Sequence, residues 1–189
     1  TTVCAEKVLP VYTIKPHQVA GVYNPVLSLN GTWLFNEKPA ARFYEQKQNG
    51  RDWKPIVVPG QWSMQGFKVD SAGFGGYQTF TLPADWQGKQ VKLRFDGVSS
   101  ESVVYLNGKE IGSHMGGMTA FELDVTKGLK AGENLLALRV RSESLADMLG
   151  SLTQYAAHQL EGITRKVTFF AVPDIHLSDL RIVTELDDD

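Results

Sequence analysis

Apolar and polar residues alternate with a period of two along most of this chain, a pattern that fits half-buried β-strands and not helices. Val91, Leu93 and Phe95 alternate with Lys92, Arg94 and Asp96, and Leu136, Leu138 and Val140 alternate with Ala137, Arg139 and Arg141. Phe121, Leu123 and Val125 are set against Glu122 and Asp124 in the same way, and a run from Tyr77 to Leu82 stops at Pro83. Proline brings no amide hydrogen to a strand ladder, so it marks an end. Between "SVVYL" and "KEIGS" stands Asn107-Gly108, which tolerates positive φ at both central turn positions and predicts a two-residue hairpin. "KAGEN" predicts a similar turn before the Leu136 strand.

Helical signal is thin. "SLADMLGSLTQYAAHQL", from Ser144, carries apolar residues at mixed spacing interrupted by Gly150, and suits a short helix or a long ordered loop. Strands about ten residues apart with Gly and Pro turns predict an all-β, two-sheet sandwich of jelly-roll type. At 189 residues and 42% hydrophobic, the chain can fill the core of one such sandwich with some extension at either end. A net charge of −2, from 19 basic and 21 acidic residues, gives no footprint for nucleic acid or an anionic membrane, so neither is an expected partner. The single cysteine, Cys4, can form no internal disulfide and leaves the redox compartment open. Four scattered histidines beside it make no zinc spacing, and no metal or cofactor is expected.

At the N-terminus, "TTVCAEK" places Val3 and Ala5 where a signal-peptide cleavage site wants small residues. It reads as a signal remnant, implying a periplasmic or secreted protein, or as an ordinary disordered terminus, which leaves the cytoplasm open. Bulky Val3 argues against a lipid on Cys4. At the other end Pro173 breaks the strand "RKVTFFAV", and a further alternating run, "IHLSDLRIVTEL", ends in "DDD". That run predicts the first strand of another domain, the alternative being a solvated acidic tail.

The ordered series "LSLNGTWLFN", "VVPGQWSMQG", "GYQTFTLPADWQGKQVKLRFDGVSSESVVYLNGKEIGSHMGGMTAFELDVT", "AGENLLALRV" and "GITRKVTFFAVPDIHLSDLRIVTEL" resembles the N-terminus of glycoside hydrolase family 2. That family includes β-galactosidases, β-glucuronidases and β-mannosidases. The resemblance covers residues 27 to 186. It implies an N-terminal extension at 1–26, a galactose-binding-domain-like jelly roll at 27–173, and the start of an immunoglobulin-like domain at 174–189. It also implies a retaining β-glycosidase as the parent enzyme, with both catalytic glutamates on a downstream (β/α)₈ barrel and a carbohydrate as substrate.

Under that resemblance the hairpin at Asn107-Gly108 and the stretch "SHMGGMTAFELDV" are framework, which makes His114 a packing residue and not a ligand or base. Trp33, Trp53, Trp62 and Trp86 fit core or turn packing better than sugar stacking, with Trp62, in "PGQWSMQG", the most open of the four. Retaining hydrolysis needs two carboxylates about 5 Å apart. Glu101 is expected in a turn leading into a strand and Glu161 has no identifiable partner, so no catalytic residue is assigned in this chain. "GFGG", at Gly73 to Gly76, precedes a strand, whereas a phosphate loop would open a helix.

In the β-galactosidase branch the loops before "GYQTF" and "GITRKV" carry an asparagine and an aspartate that meet substrate. This chain has Ala72 and Ala156 there, and alanine cannot hydrogen-bond a sugar hydroxyl or bind a cation. The nearby polar residues, Asp70 in the first loop and His158, Gln159 and Glu161 in the second, are therefore the candidate substrate-binding residues. Asp70 also reads as a solvated loop residue and His158 as packing, while Arg165 is expected to pair with a carboxylate or cap carbonyls. Three readings follow: an accessory domain shaping the pocket of a larger glycosidase, a free-standing carbohydrate-binding or adhesion module, and a purely structural domain.

Overall fold

The alternating runs fold as strands whose apolar sides meet between two sheets. In the computed structural model the described residues are 15–16, 18–70, 73–80, 86, 88–130, 132–141, 160–173, 175–177 and 183–184. The first strands are β1 (Val26–Ser28), β2 (Gly31–Asn36), β3 (Lys54–Val58), β4 (Phe74–Phe80), β5 (Gln90–Phe95) and β6 (Val98–Ser99). They are followed by β7 (Glu101–Leu106), β8 (Lys109–Met115), β9 (Phe121–Asp124), β10 (Leu135–Arg141), β11 (Gly162–Ile163) and β12 (Val167–Val172). One sheet runs β1-β12-β5-β9, the other β3-β2-β4-β10-β7-β8, and the short strands β6 and β11 pair with each other. Helical structure among the described residues is confined to 3-10 turns, such as Phe43–Glu45 and Ser63–Gln65. This is the all-β jelly-roll sandwich that the periodicity predicts. Glu101 differs from expectation in a detail: it opens β7 opposite Arg141 and Met115, where ladder pairing has already begun. Most of the 144–160 stretch, Leu82 and Pro83, and much of the run after Pro173 lie outside the described residues.

The core forms where the two alternations face each other. Val91, Leu93 and Phe95 of β5 and Val167, Phe169 and Ala171 of β12 pack with Leu136, Leu138 and Val140 of β10, and all are buried. Full burial of each large apolar side chain stabilises the fold by roughly 1.5–3 kcal/mol. A second apolar cluster covers the outer face of the six-stranded sheet, where Phe43, Tyr44 and Trp53 pack against Tyr105. Buried Gln78 fastens that layer, its amide nitrogen donating to the carbonyls of Phe43 (2.7 Å) and Gln46 (2.9 Å) while its oxygen accepts from the Gln48 amide (3.0 Å).

The hairpin between β7 and β8 has positive φ at both Asn107 and Gly108 (51° and 82°), as its two-residue turn requires. Asn107 does more than turn the chain. Its Nδ2 donates to the Gly128 carbonyl (2.8 Å) and to Asn134 Oδ1 (2.7 Å), and its Oδ1 accepts from the Leu135 amide (2.9 Å). Asn134, from "KAGEN", accepts in turn from the Lys130 amide at 2.8 Å. The two turns predicted separately are one hydrogen-bonded unit at one end of the sandwich. The candidate site is built at the other end.

Candidate functional site

Ladder register gathers the loops of interest. Phe74, at the start of β4, pairs with Arg141 at the end of β10, and Arg141 pairs with Glu101 at the start of β7. The loop before β4 and the segment leading to β11 therefore emerge at the same end. Trp62 joins them. It is 1% exposed, stacked on Phe35 at 5.6 Å between ring centroids, and set in the turn after the cis Val58-Pro59 bond. A Cβ placed on Gly75 would stand 3.1 Å from Trp62 Cζ3, and one on Gly162 3.2 Å from its Cε3. One indole thus lies against the backbone of β4 and β11 together, because both positions are glycine. The Gly60 amide adds a hydrogen bond to the Ile163 carbonyl (2.8 Å). Trp62 is a buried post between β4 and β11, with no ring face open to a sugar.

Glu161 is the last residue before β11, and its Oε2 is buried without a hydrogen-bond partner. Close by is Tyr77 of β4, completely buried, whose hydroxyl sits against Gly162 and also has no full hydrogen bond. Burial pushes the Tyr77 phenol far above its usual range, the Glu161 charge adds to this, and a loose approach of the Ile163 backbone only partly offsets it. A carboxylate oxygen and a phenol held out of water with unmet hydrogen-bonding capacity are costly to the fold by itself. A ligand hydroxyl meeting Glu161 would recover part of that cost.

Of the four residues predicted to meet substrate, the structure describes two. Asp70 is at the surface, its side chain 80% exposed and 3.5 Å from Lys38 Nζ, while its carbonyl accepts from the Gly73 amide at 2.6 Å. Glu161 directly precedes β11, its Oε2 buried. His158 and Gln159 lie outside the described residues, as do Ala72 and Ala156. Glu101 points to the outer face of the six-stranded sheet, 3.6 Å from Arg141 Nη1. His114 is framework: its ring stacks on Phe121 at 4.2 Å, and Nε2 meets Thr119 Oγ1 at 3.0 Å. Trp33 and Trp86 are buried and donate to the Leu29 and Asn24 carbonyls, and Trp53 packs on Phe43.

Arg165 departs from its expected role. Its Cγ and Cδ lie over Gly97, and neither it nor Lys166 has a carboxylate partner among the described residues. Both line an open cleft of about 570 Å³ together with Pro59, Arg94, Asp96, Met118 and Ala120. Nothing in the spacing of these residues along the sequence pointed to it.

Residues 67–173 match the family described as glycosyl hydrolases family 2, sugar binding domain. Among curated relatives, a β-galactosidase of Priestia megaterium is 28% identical, the match covering 85% of this chain and 18% of that protein. A β-glucuronidase of Bacteroides fragilis is 35% identical over 64% of this chain and 17% of its own length. Among solved structures, the β-glucuronidase of Bacteroides uniformis superposes with a TM-score of 0.65 at 28% identity, over 79% of this chain and 18% of that one. This chain spans about a fifth of the length of such relatives. With the matched residues running from the loop before β4 to the end of β12, the chain belongs to glycoside hydrolase family 2 and carries that family's N-terminal sugar-binding sandwich.

Proposed function

We propose that this sandwich is a non-catalytic wall of the active-site pocket in a larger, retaining β-glycosidase of the β-galactosidase type. The barrel of that enzyme supplies both catalytic glutamates, and an immunoglobulin-like domain stands between barrel and sandwich. The observation that carries the reading is the packing of β4 and β11 on Trp62, with the unpartnered carboxylate oxygen of Glu161 directly before β11. A buried acceptor without a donor suits a sugar hydroxyl arriving from outside. Glu161 then contributes binding, and the bond-breaking step belongs to the barrel.

The test is kinetic, in the full-length enzyme. Glu161→Gln keeps the shape and removes the charge, and should raise KM for its β-glycoside substrate by about tenfold, as expected for the loss of one charge-assisted hydrogen bond. An unchanged KM would remove Glu161 from the pocket. The free-standing module has less support at the end of the sandwich where β4 begins, because a stacking platform there needs an open aromatic face. Trp33, Trp62 and Trp86 are buried, and the partly exposed ring of Phe74 is engaged by the guanidinium groups of Arg139 (5.3 Å) and Arg141 (5.8 Å).

A further inference from the structure

The cleft beside Arg165 lies at the same end of the sandwich as Trp62, at the ends of β5, β9 and β12, and is lined by a different set of side chains. Its volume, about 570 Å³, is in the range of small-molecule sites. Its charge is at odds with that of the chain. The protein carries −2 overall, yet Arg94, Arg165 and Lys166 face the cleft against one carboxylate, Asp96. Arg94 is already matched: its Nε donates to Asp96 Oδ1 (2.7 Å) and its Nη1 to Glu122 Oε1 (2.9 Å), which fixes the guanidinium in place. Arg165 and Lys166 are unmatched, and both are exposed. The stem of Arg165 rests on Gly97, where a Cβ would stand 3.1 Å from Cδ, so the missing side chain at 97 is what gives the arginine its seat.

The remaining lining is apolar. The Pro59 ring and the Met118 side chain, 67% exposed, offer carbon surface next to the cations. Two uncompensated cations beside an apolar patch match a sugar ring that presents its C–H face to carbon and an anionic substituent to a guanidinium and an ammonium. We propose that this cleft binds a saccharide unit bearing a carboxylate or a sulfate. The inference draws on family membership and on the cleft's own chemistry, and stands independently of the role proposed for Glu161.

Calorimetric or NMR titration of the chain tests it with four probes: a glucuronic-acid-terminated disaccharide, a sulfated galactose disaccharide, neutral cellobiose and inorganic sulfate. One of the two acidic disaccharides should bind at least about tenfold more tightly than cellobiose and than sulfate alone, and its affinity should fall as salt is raised. The tighter of the two names the anion. Lys166→Gln should weaken that binding several-fold and Arg165→Gln/Lys166→Gln by about tenfold or more, while Lys109→Gln, at the far end on β8, leaves it unchanged. Because Arg165 also packs on Gly97, the single change at exposed Lys166 keeps the test decisive if the double variant loses its fold. Equal affinity for cellobiose, equal affinity for bare sulfate, no binding of either acidic sugar, or affinity unmoved by Lys166→Gln would each overturn the proposal.

Discussion

The hydroxyl of Tyr77 occupies the space into which any side chain at residue 162 would project, so β11 can lie on the core of the sandwich only because Gly162 has none. Gly162 also holds φ at +83°, a region that disfavours every residue with a Cβ. Gly162→Ala should therefore cost about 2–4 kcal/mol of stability, from backbone strain and collision together. In a Tyr77→Phe background the obstructing oxygen is gone and the cost should fall to about 1–2 kcal/mol. Urea denaturation of the four proteins in this cycle gives the coupling. Additive effects would show that the oxygen is no obstacle.

The same phenol sets a pH dependence. Burial, reinforced by Glu161, raises the folded-state pKa of Tyr77 above the value of about 10 it has when unfolded. The contribution is present in full below pH of about 10 and is lost as pH rises beyond it, since the unfolded chain ionises there while the folded one does not. Relative to Tyr77→Phe, the wild type should lose about 1.4 kcal/mol per pH unit above pH 10. At pH near 8, where the unfolded phenol is still neutral, Tyr77→Phe should be at least as stable as wild type, because the hydroxyl it removes has no full hydrogen bond. Denaturation curves at three pH values distinguish this from a general alkaline loss shared by both proteins.

A side chain closes the edge strand β3. Gln65 Oε1 accepts from the Val57 amide (2.8 Å) and its Nε2 donates to the Val57 carbonyl (3.0 Å), copying the two bonds that a neighbouring strand would make. Gln65→Ala should lower stability by about 1 kcal/mol, since water replaces part of the lost bonding. It should also leave β3 open to pairing with a second chain. Light scattering at rising protein concentration, compared with Lys54→Ala on the same strand, would reveal that self-association. Equal behaviour of the two variants would mean that the glutamine protects nothing.

What could be read from the sequence was local or periodic. Alternation of Val91, Leu93 and Phe95 set strand and face together, and Asn107-Gly108 named its own turn, because each signal lies within a few neighbouring residues. The bonds from Asn107 to Leu135 and Gly128 join residues more than twenty positions apart, and no local pattern announces them. The sequence leaves Trp62 open between sugar platform and core for the same reason: its burial depends on Gly75 and Gly162, which meet only after the sheet is assembled. Resemblance and proximity to the alanine positions point to Glu161, whereas its orphaned oxygen is a property of packing. The cleft of Arg165 and Lys166 combines four separate chain segments, and its charge shows only once Arg94 is seen to be neutralised by Asp96 and Glu122.

The chain by itself should hydrolyse no glycoside. Retaining hydrolysis requires an acid and a nucleophile about 5 Å apart, flanking one bond. Glu101 lies on the outer face of its sheet beside Arg141, and its turn-free place at the start of β7 gives it no second carboxylate opposite, the paired residues being Arg141 and Met115. Glu161 has a buried oxygen with no acid or base at hydrogen-bond distance. Incubation with nitrophenyl β-galactoside, β-glucuronide and β-mannoside should release nitrophenol at the buffer rate, in the wild type and in Glu101→Gln and Glu161→Gln alike. Turnover that persists through purification and vanishes in either variant would place a catalytic carboxylate in this sandwich, and the non-catalytic role proposed for it would have to be abandoned.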